Sequence, residues 1–466
     1  MNTKLVHFIS TVLFLIYPAL AYSIELKGAG RRIPAPIFTL WSQHYSQLRP
    51  GTTVTYQAVS AAEGFKQLSS GKADFGETDF PLSKEELDKL GLAQFPYMFS
   101  AITPIVNLPN IEGQISLTGK ILAEIYLGKI KKWNDDAIAN INPRLRLPSE
   151  KILVAHLVPE RGGTYNLSTY LAKVHPEWAS KVGVGVTLNW PVGTAIENLY
   201  EMGAYVKKTP YSIGYSENSY ARKNQLSLVK LQNKAGRFVS PHMGSIEDAV
   251  RDIKWNVSNG FKEDLIDTPG PESWPITSAS YFLITKTSDN VAARQALLSF
   301  IGWGMSHGDL DVTSLDFLPV PRKLISTIRN SWNDTPLVLE GADVVNASQV
   351  KAFQASGMLI VDARVESEYI YEHITNAINI PYLEKSAKAA NFNPQLDKFD
   401  LSKLPANKNT EIVFYCNAGA CWKGYKAAVA AIKAGYKKVH WFRGGMPEWG
   451  EKGFPTEVFN QTATKK

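Results

Sequence analysis

The chain has 466 residues, a formal net charge of +7 and two cysteines. That length exceeds what one hydrophobic core serves and suits two or three domains. The positive charge is spread along the chain, which fits attraction to small anions or a membrane surface and not a nucleic-acid-binding stripe. There is no phosphate-binding P-loop, no Gly-rich dinucleotide fingerprint and no His pair at zinc spacing, so neither cofactor nor metal is expected.

The first residues read as an export signal, assigned to 1–21. Lys4 gives the positive start, residues 7–20 an apolar stretch, and Ala19-Leu20-Ala21 a small-x-small cleavage site before Tyr22. The stretch is short for a membrane span and is broken by Pro18, so cleavage is expected rather than anchoring. No cysteine follows the site to carry a lipid. The mature protein is then expected in an oxidising compartment, most simply a bacterial periplasm, and not as an integral membrane protein.

Helical patterns over 35–47, 117–127 and 291–301 alternate with β-type runs over 54–59, 101–107, 152–157 and 281–284. Such alternation predicts α/β layers with parallel strands, assigned to residues 25–335. The basic run from Lys129 to Trp133 reads as a solvated helix end. A loosely patterned linker at 336–346 leads to a second α/β unit over 347–457, and the polar residues after 461 are expected to fray.

Both cysteines fall in one window, Tyr415-Cys416-Asn417-Ala418-Gly419-Ala420-Cys421-Trp422. It follows the β-type run 411–415 and precedes a helical pattern over 422–434 that stops at Gly435. A sulfur on a tight loop between strand end and helix start faces unpaired backbone N–H groups and the positive end of the helix dipole. Both favour thiolate, so the window is a candidate for sulfur chemistry. The competing reading is a structural disulfide or two inert small residues. In an oxidising compartment part of the population is expected with Cys416 and Cys421 bonded and easily reduced.

The first unit resembles the phosphate-type periplasmic solute-binding proteins. The resemblance rests on Gly28-Ala29-Gly30 with Pro34-Ala35-Pro36, Asp74-Phe75-Gly76 leading to Asp79, Ile125 to Trp133, Ile213-Gly214-Tyr215, and Trp274 to Ser278. It implies a two-lobed α/β fold, with crossings near 99–107 and 240–249, a ligand cleft between the lobes, and an ABC permease as partner. Carried over, the ligand positions are Arg31, Arg32, Ile33, Ala61, Asp79, Arg161, Gly162 and Gly163. Only Asp79 and Gly162 keep the family's residue; the ligand arginine falls at Leu157. Glu63, Glu77 and Glu160 add carboxylates nearby. Two outcomes stay open: an anion other than phosphate gripped by arginine forks, or side chains that pair with one another and close the cleft. Tight phosphate binding is not expected.

The second unit resembles a single, smaller rhodanese domain, on Leu359 to Arg364, Glu368-Tyr369, His373-Ile374, Asn376 to Pro381, Tyr415-Cys416 and Gly444 to Trp449. The resemblance implies Cys416 as the nucleophile that carries sulfane sulfur, with Asn417, Ala418, Gly419, Ala420 and Cys421 as its cradle. Asp362 and Arg364 brace the loop, and His373 packs. Lys423 and Lys426 either add positive potential or serve as exposed solubilising residues. Cys421 and Trp422 stand where the family places arginine and then serine or threonine. That loss weakens binding of a dianionic donor, while Cys421 gains the chance to resolve a Cys416 persulfide.

The expectation is an exported binding protein fused to a rhodanese sulfurtransferase or thiol-redox unit, acting on a small anion or sulfur compound. Its rival is a non-enzymatic oxyanion receptor for ABC transport with a degenerate rhodanese appendage.

Overall fold

The computed structural model describes residues 24–458, except 287, 289, 333, 334, 419 and 420, and except the side chains of 291 and 292. The export-signal expectation, and the cradle assignments of Gly419 and Ala420, lie outside the described residues. Among the described residues no helix is long and apolar enough to cross a membrane.

The first unit is built on one large mixed sheet. Its central path runs through the strands Thr52–Ala58, Ile24–Gly30, Phe75–Thr78, Thr277–Thr285, Leu92–Val106, Ser212–Glu217, Leu153–Leu157 and Thr194–Ile196. The run expected at 101–107 is the second half of the 15-residue strand Leu92–Val106. Its first half pairs antiparallel with Thr277–Thr285 in one lobe, and its second half antiparallel with Ser212–Glu217 in the other. The sheet therefore keeps the parallel strands expected at its two ends and adds antiparallel ones in the middle. The strand threading both lobes runs against its neighbours in each, and alternation of element types carries no information about strand direction.

One continuous apolar core fills both lobes, with Trp41, Phe75, Phe282 and Phe300 on one side and Tyr126, Trp178 and Tyr215 on the other. The helix Ala35–Leu48 turns Ile37, Phe38, Trp41 and Tyr45 inward at the three-and-four spacing a helix needs to bury one face. The helix expected at 117–127 starts later, at Gly119, because Thr118 caps it through the Ile121 amide.

The second unit is a five-stranded parallel sheet in the order Ala342–Val345, Lys438–Phe442, Glu411–Tyr415, Leu359–Asp362 and Ile378–Asn379. Successive side chains along its strands enter two separate cores, as the two-residue period of a strand requires. Ile412, Phe414, Val439 and Trp441 pack under the helix Lys423–Lys433. Val413, Tyr415 and Phe442 pack under the helices Ala347–Ala355 and Gly445–Glu451.

Candidate functional site

All eight ligand positions carried over by resemblance line one cleft of about 440 Å³ between the lobes, joined by Leu157, Glu160 and Glu197. Arg31 follows the strand Ile24–Gly30 directly, and its guanidinium is already engaged. It makes a forked pair with Glu77 at 2.7 Å, reaches Asp79 at 3.2 Å and donates to Ser280 Oγ at 2.9 Å. Burial opposes its charge, but Asp79 and Glu77 outweigh that and hold its pKa above the ordinary value. Arg161 pairs with Glu197 at 2.5 Å and donates to the Glu197 carbonyl at 3.0 Å. Arg32 is exposed. Two of the three cleft arginines thus hold carboxylates of the protein itself.

The helix Gly162–Val174 begins in this cleft, after a turn in which Glu160 takes a left-handed backbone at φ 64°. Free N–H groups at such a start attract an anion. Here the Asp79 carboxylate from the opposite lobe lies so close to Gly162 that no Cβ would fit there, and its Oδ1 is buried without a hydrogen-bond partner. Asn166 fastens the same contact by donating to the Asp79 carbonyl at 3.2 Å. The lobes meet at this point. Leu157, in the place of the family's arginine, is buried, and Ala61 offers no hydroxyl. Of the added carboxylates, Glu77 pairs with Arg31, while Glu63 forms part of a helix start capped by Ser60.

The cysteine loop joins the strand Glu411–Tyr415 to the helix Lys423–Lys433. Ala418 takes a left-handed backbone at φ 55°, unusual for a residue with a Cβ, so the loop is tightly wound. Gly424 has no Cβ because the helix start rests on the backbone of Tyr415 and Cys416. Both cysteines are free thiols; Cys416 is buried and Cys421 half-buried. Backbone N–H groups of Gly424 and Ala418 turn toward Cys416, and that of Asn417 toward Cys421. Burial pushes the Cys416 thiol well up. Cys416 Sγ donates to the Cys421 carbonyl at 3.1 Å. The neighbouring Cys416 thiol draws Cys421 down to about 6 against burial, with Lys423 and Lys388 adding to the effect. The two thiols are thus shifted in opposite directions, Cys416 up and Cys421 down.

Asp362 and Arg364 are both brought to this loop. Arg364 clasps Asp362 through a fork at 2.6–3.0 Å, donates to Asn417 Oδ1 at 3.3 Å and lies over the Tyr415 ring. Tyr415 donates to Asp362 at 2.7 Å. His373 is buried, stacked on Tyr369, with Nδ1 at 2.7 Å from its carbonyl. Lys426 corrects an expectation: it is not an exposed helix lysine. It is fully buried, 2.8 Å from both Glu384 and Ser386 Oγ, because it points from the helix into the core face of the second unit.

Sequence reasoning missed the contact between the two units. Arg49, at the end of the helix Ala35–Leu48, pairs with Glu368 at 2.6 Å, and Glu368 also accepts from the Asn417 amide at 2.6 Å. Burial raises the Glu368 pKa, but Arg49, Arg364 and Lys423 outweigh it and hold the carboxyl at about 2. His307 lies 3.1 Å from Glu372. Arg329 reaches the Asn417 carbonyl at 3.4 Å. One signal for Arg329 was readable: it follows Leu324, Ile325 and Ile328 on the buried stripe of the helix Arg322–Ser331, where a charge is out of place. Among the described residues no cluster of histidine, cysteine and carboxylate side chains could hold a metal ion.

Comparison with known proteins divides the chain in the same two parts. A family model described as a PBP superfamily domain matches residues 19–307, and one described as a rhodanese-like domain matches residues 346–452. The phosphate-binding protein PstS of Haemophilus influenzae is 39% identical over 313 residues, covering 67% of this chain and 93% of the relative. PstS of Methanocaldococcus jannaschii is 33% identical over 310 residues, covering 61% of this chain and 79% of the relative. Among solved structures, the phosphate-binding protein of Stenotrophomonas maltophilia matches with a TM-score of 0.51 at 15% identity, over 66% of this chain and 93% of that one. A high-affinity periplasmic phosphate-binding protein, PfluDING, matches with a TM-score of 0.53 at 15% identity, over 66% and 93%. At such identity the structural likeness establishes the fold.

Proposed function

This chain belongs to the PBP superfamily, in its phosphate-binding-protein branch, and carries a rhodanese-like domain after it; from that premise we propose an exported receptor whose second domain carries sulfane sulfur on Cys416. The domains of this reading are 25–335 and 347–457, joined by 336–346 and preceded by a signal at 1–21. The periplasm is its compartment, and an ABC permease its partner for the cleft ligand.

The observation that carries the sulfur assignment is the geometry of the loop: Cys416 is buried at the turn between the strand Glu411–Tyr415 and the helix Lys423–Lys433, its Sγ 3.1 Å from the Cys421 carbonyl and Cys421 beside it. Cys421 accepts the Cys416 proton, and the loop amides receive the thiolate so formed. That thiolate attacks a sulfane sulfur: a Cys416 S–S bond forms, the donor's S–S bond breaks, and the leaving group departs with the electron pair. Cys421 can then give its proton to the terminal sulfur as its own sulfur attacks Cys416 Sγ; the persulfide S–S bond breaks, hydrosulfide leaves with the electron pair, and a Cys416–Cys421 disulfide closes. Intact-mass spectrometry of the reduced protein after exposure to a sulfane donor tests this. A gain of one sulfur mapped to Cys416 is expected. No gain would favour the receptor with a non-catalytic appendage.

For the cleft, the ligand of this reading is an anion other than tightly held phosphate. Arg31 and Arg161 are committed to Glu77, Asp79 and Glu197, and Asp79 occupies the helix start an oxyanion would use. Each hydrogen bond a buried anion fails to make costs roughly 1–3 kcal/mol. Calorimetry with phosphate should give weak binding. A submicromolar constant would overturn this, and would mean that the arginines exchange their carboxylates for the ligand.

A further inference from the structure

Between the two domains lies a cavity of about 90 Å³, bounded on one side by Asn417, Ala418 and Cys421 and on the other by Trp303, Arg329 and Trp332 of the binding domain. A water molecule needs roughly 10–15 Å³ of such space, so several waters or one small anion would fit. The lining carries both signs: Arg322, Arg329, Arg364 and His307 share it with Glu368, Glu372 and Glu451, and Glu368 and Glu372 are paired with Arg49 and His307. Arg329 is 9% exposed, its Nε is buried with no hydrogen-bond partner, and among the described residues its side chain donates only to the Asn417 carbonyl, at 3.4 Å. No carboxylate lies within ion-pairing distance of it among the described residues, unlike Arg31, Arg49 and Arg364. The indole N–H groups of Trp303 and Trp332 are buried and unpartnered as well. A buried charge left this way is costly unless something of opposite sign completes it.

The placement of Arg329 is also built. Its guanidinium lies on Gly302 of the helix Val291–His307, where a Cβ would overlap it. Gly in a helix interior costs about 1 kcal/mol relative to Ala, and here it makes the room that seats the guanidinium against the helix. The rhodanese-like loop has Cys421 where an arginine would stand in its relatives' pattern, and Arg329 of the other domain lines the same cavity as that cysteine.

We propose that this interdomain cavity is a binding site for a small sulfur oxyanion, with Arg329 of the binding domain supplying the guanidinium that the cysteine loop lacks. The site deepens the sulfur-carrying reading and rests on it for its purpose, but not for its existence. The oxyanion end sits against Arg329 and the two indole N–H groups, and the sulfane end faces the loop. For thiosulfate, Cys416 thiolate forms a bond to the outer sulfur, the S–S bond breaks, and sulfite leaves with the electron pair, so the total charge of three is unchanged. The binding domain is then part of the sulfur site, which neither domain completes alone.

The test uses the full-length reduced chain and two donors, thiosulfate and a neutral dialkyl trisulfide. Arg329→Gln should raise the KM for thiosulfate at least tenfold while leaving that for the trisulfide within twofold. Gly302→Ala should act in the same direction by displacing the guanidinium, and Arg329→Lys should recover part of the loss. A variant that impairs both donors equally, or neither, overturns the proposal. Sulfate, which cannot donate sulfur, separates this inference from the reading beneath it. Calorimetry should find a sulfate site in the wild type that Arg329→Gln abolishes, even if no persulfide forms with any donor. A wild type without such a site refutes the anion pocket, whatever the sulfur chemistry does.

Discussion

The lobe cleft and the interdomain cavity both hold arginines, and they differ in what those arginines touch. In the cleft, Arg31 and Arg161 are neutralised by Glu77, Asp79 and Glu197. In the cavity, Arg329 has a carbonyl and no carboxylate. The cleft arginines have carboxylates in direct contact, whereas the cavity carboxylate Glu368 is paired with Arg49 and leaves Arg329 without an ion pair of its own among the described residues. An arginine indicates an anion site only when the fold has not already paired it, because a guanidinium with two good carboxylates has little left to offer a ligand.

The sharpest way to separate the two regions is through the thiols. Cys416→Ser should reduce persulfide formation to background and leave affinity in the lobe cleft unchanged, measured by mass spectrometry and calorimetry on the same sample. Cys421→Ser should still form the persulfide, with its rate midpoint moved to higher pH, because the group near 6 that accepts the proton is gone. Equal loss of the first half-reaction in both variants would refute this division of roles.

Next in size is a contrast in stability. Arg31→Met strands Glu77 and Asp79 as buried charges and should cost about 3–5 kcal/mol, read from urea unfolding. Arg329→Met removes a charge that strands no paired carboxylate, and should lie within about 1 kcal/mol of wild type or above it. If both cost the same, Arg329 is a structural residue and the contrast between the regions collapses.

The smallest effect is on docking of the domains. The Glu368 carboxyl is held at about 2, below its ordinary 4.5, by Arg49, Arg364 and Lys423 against the opposing effect of burial. A depressed carboxylate contributes its stabilisation fully above the unfolded pKa and loses it as pH falls through the folded one. Glu372, held at about 2 chiefly by its hydrogen bond with His307, behaves alike. Acidification from about pH 5 toward 2 should loosen the Arg49–Glu368 and His307–Glu372 contacts. Hydrogen exchange should then rise at the helix Glu366–Tyr371 before it rises at the Arg31–Glu77 contact. Simultaneous loss at both places would show that the two regions unfold as one.

The sequence carried what is local or repeated in pattern. Short-range periodicity placed a helix over 35–47 and a strand over 281–284, within the observed Ala35–Leu48 and Thr277–Thr285, and the cysteine loop is framed by an apolar run and a helix ending before Gly435. Family spacing gathered all eight cleft residues and brought Asp362 and Arg364 to the loop. Strand direction, the choice of ionic partners and the meeting of the domains were settled only in three dimensions. Arg31 could have gripped a ligand as well as Glu77; the choice depends on distances of 2.7–3.2 Å between segments 46–249 residues apart. Lys426 reads as a solvent-facing lysine until Glu384 and Ser386 are seen beside it. Arg329 lies 88 residues before Asn417 in sequence, and no periodicity links them. Pairing of charges at the ångström scale is a property of the packed fold, since Coulomb energy depends on separation and local dielectric and not on position along the chain.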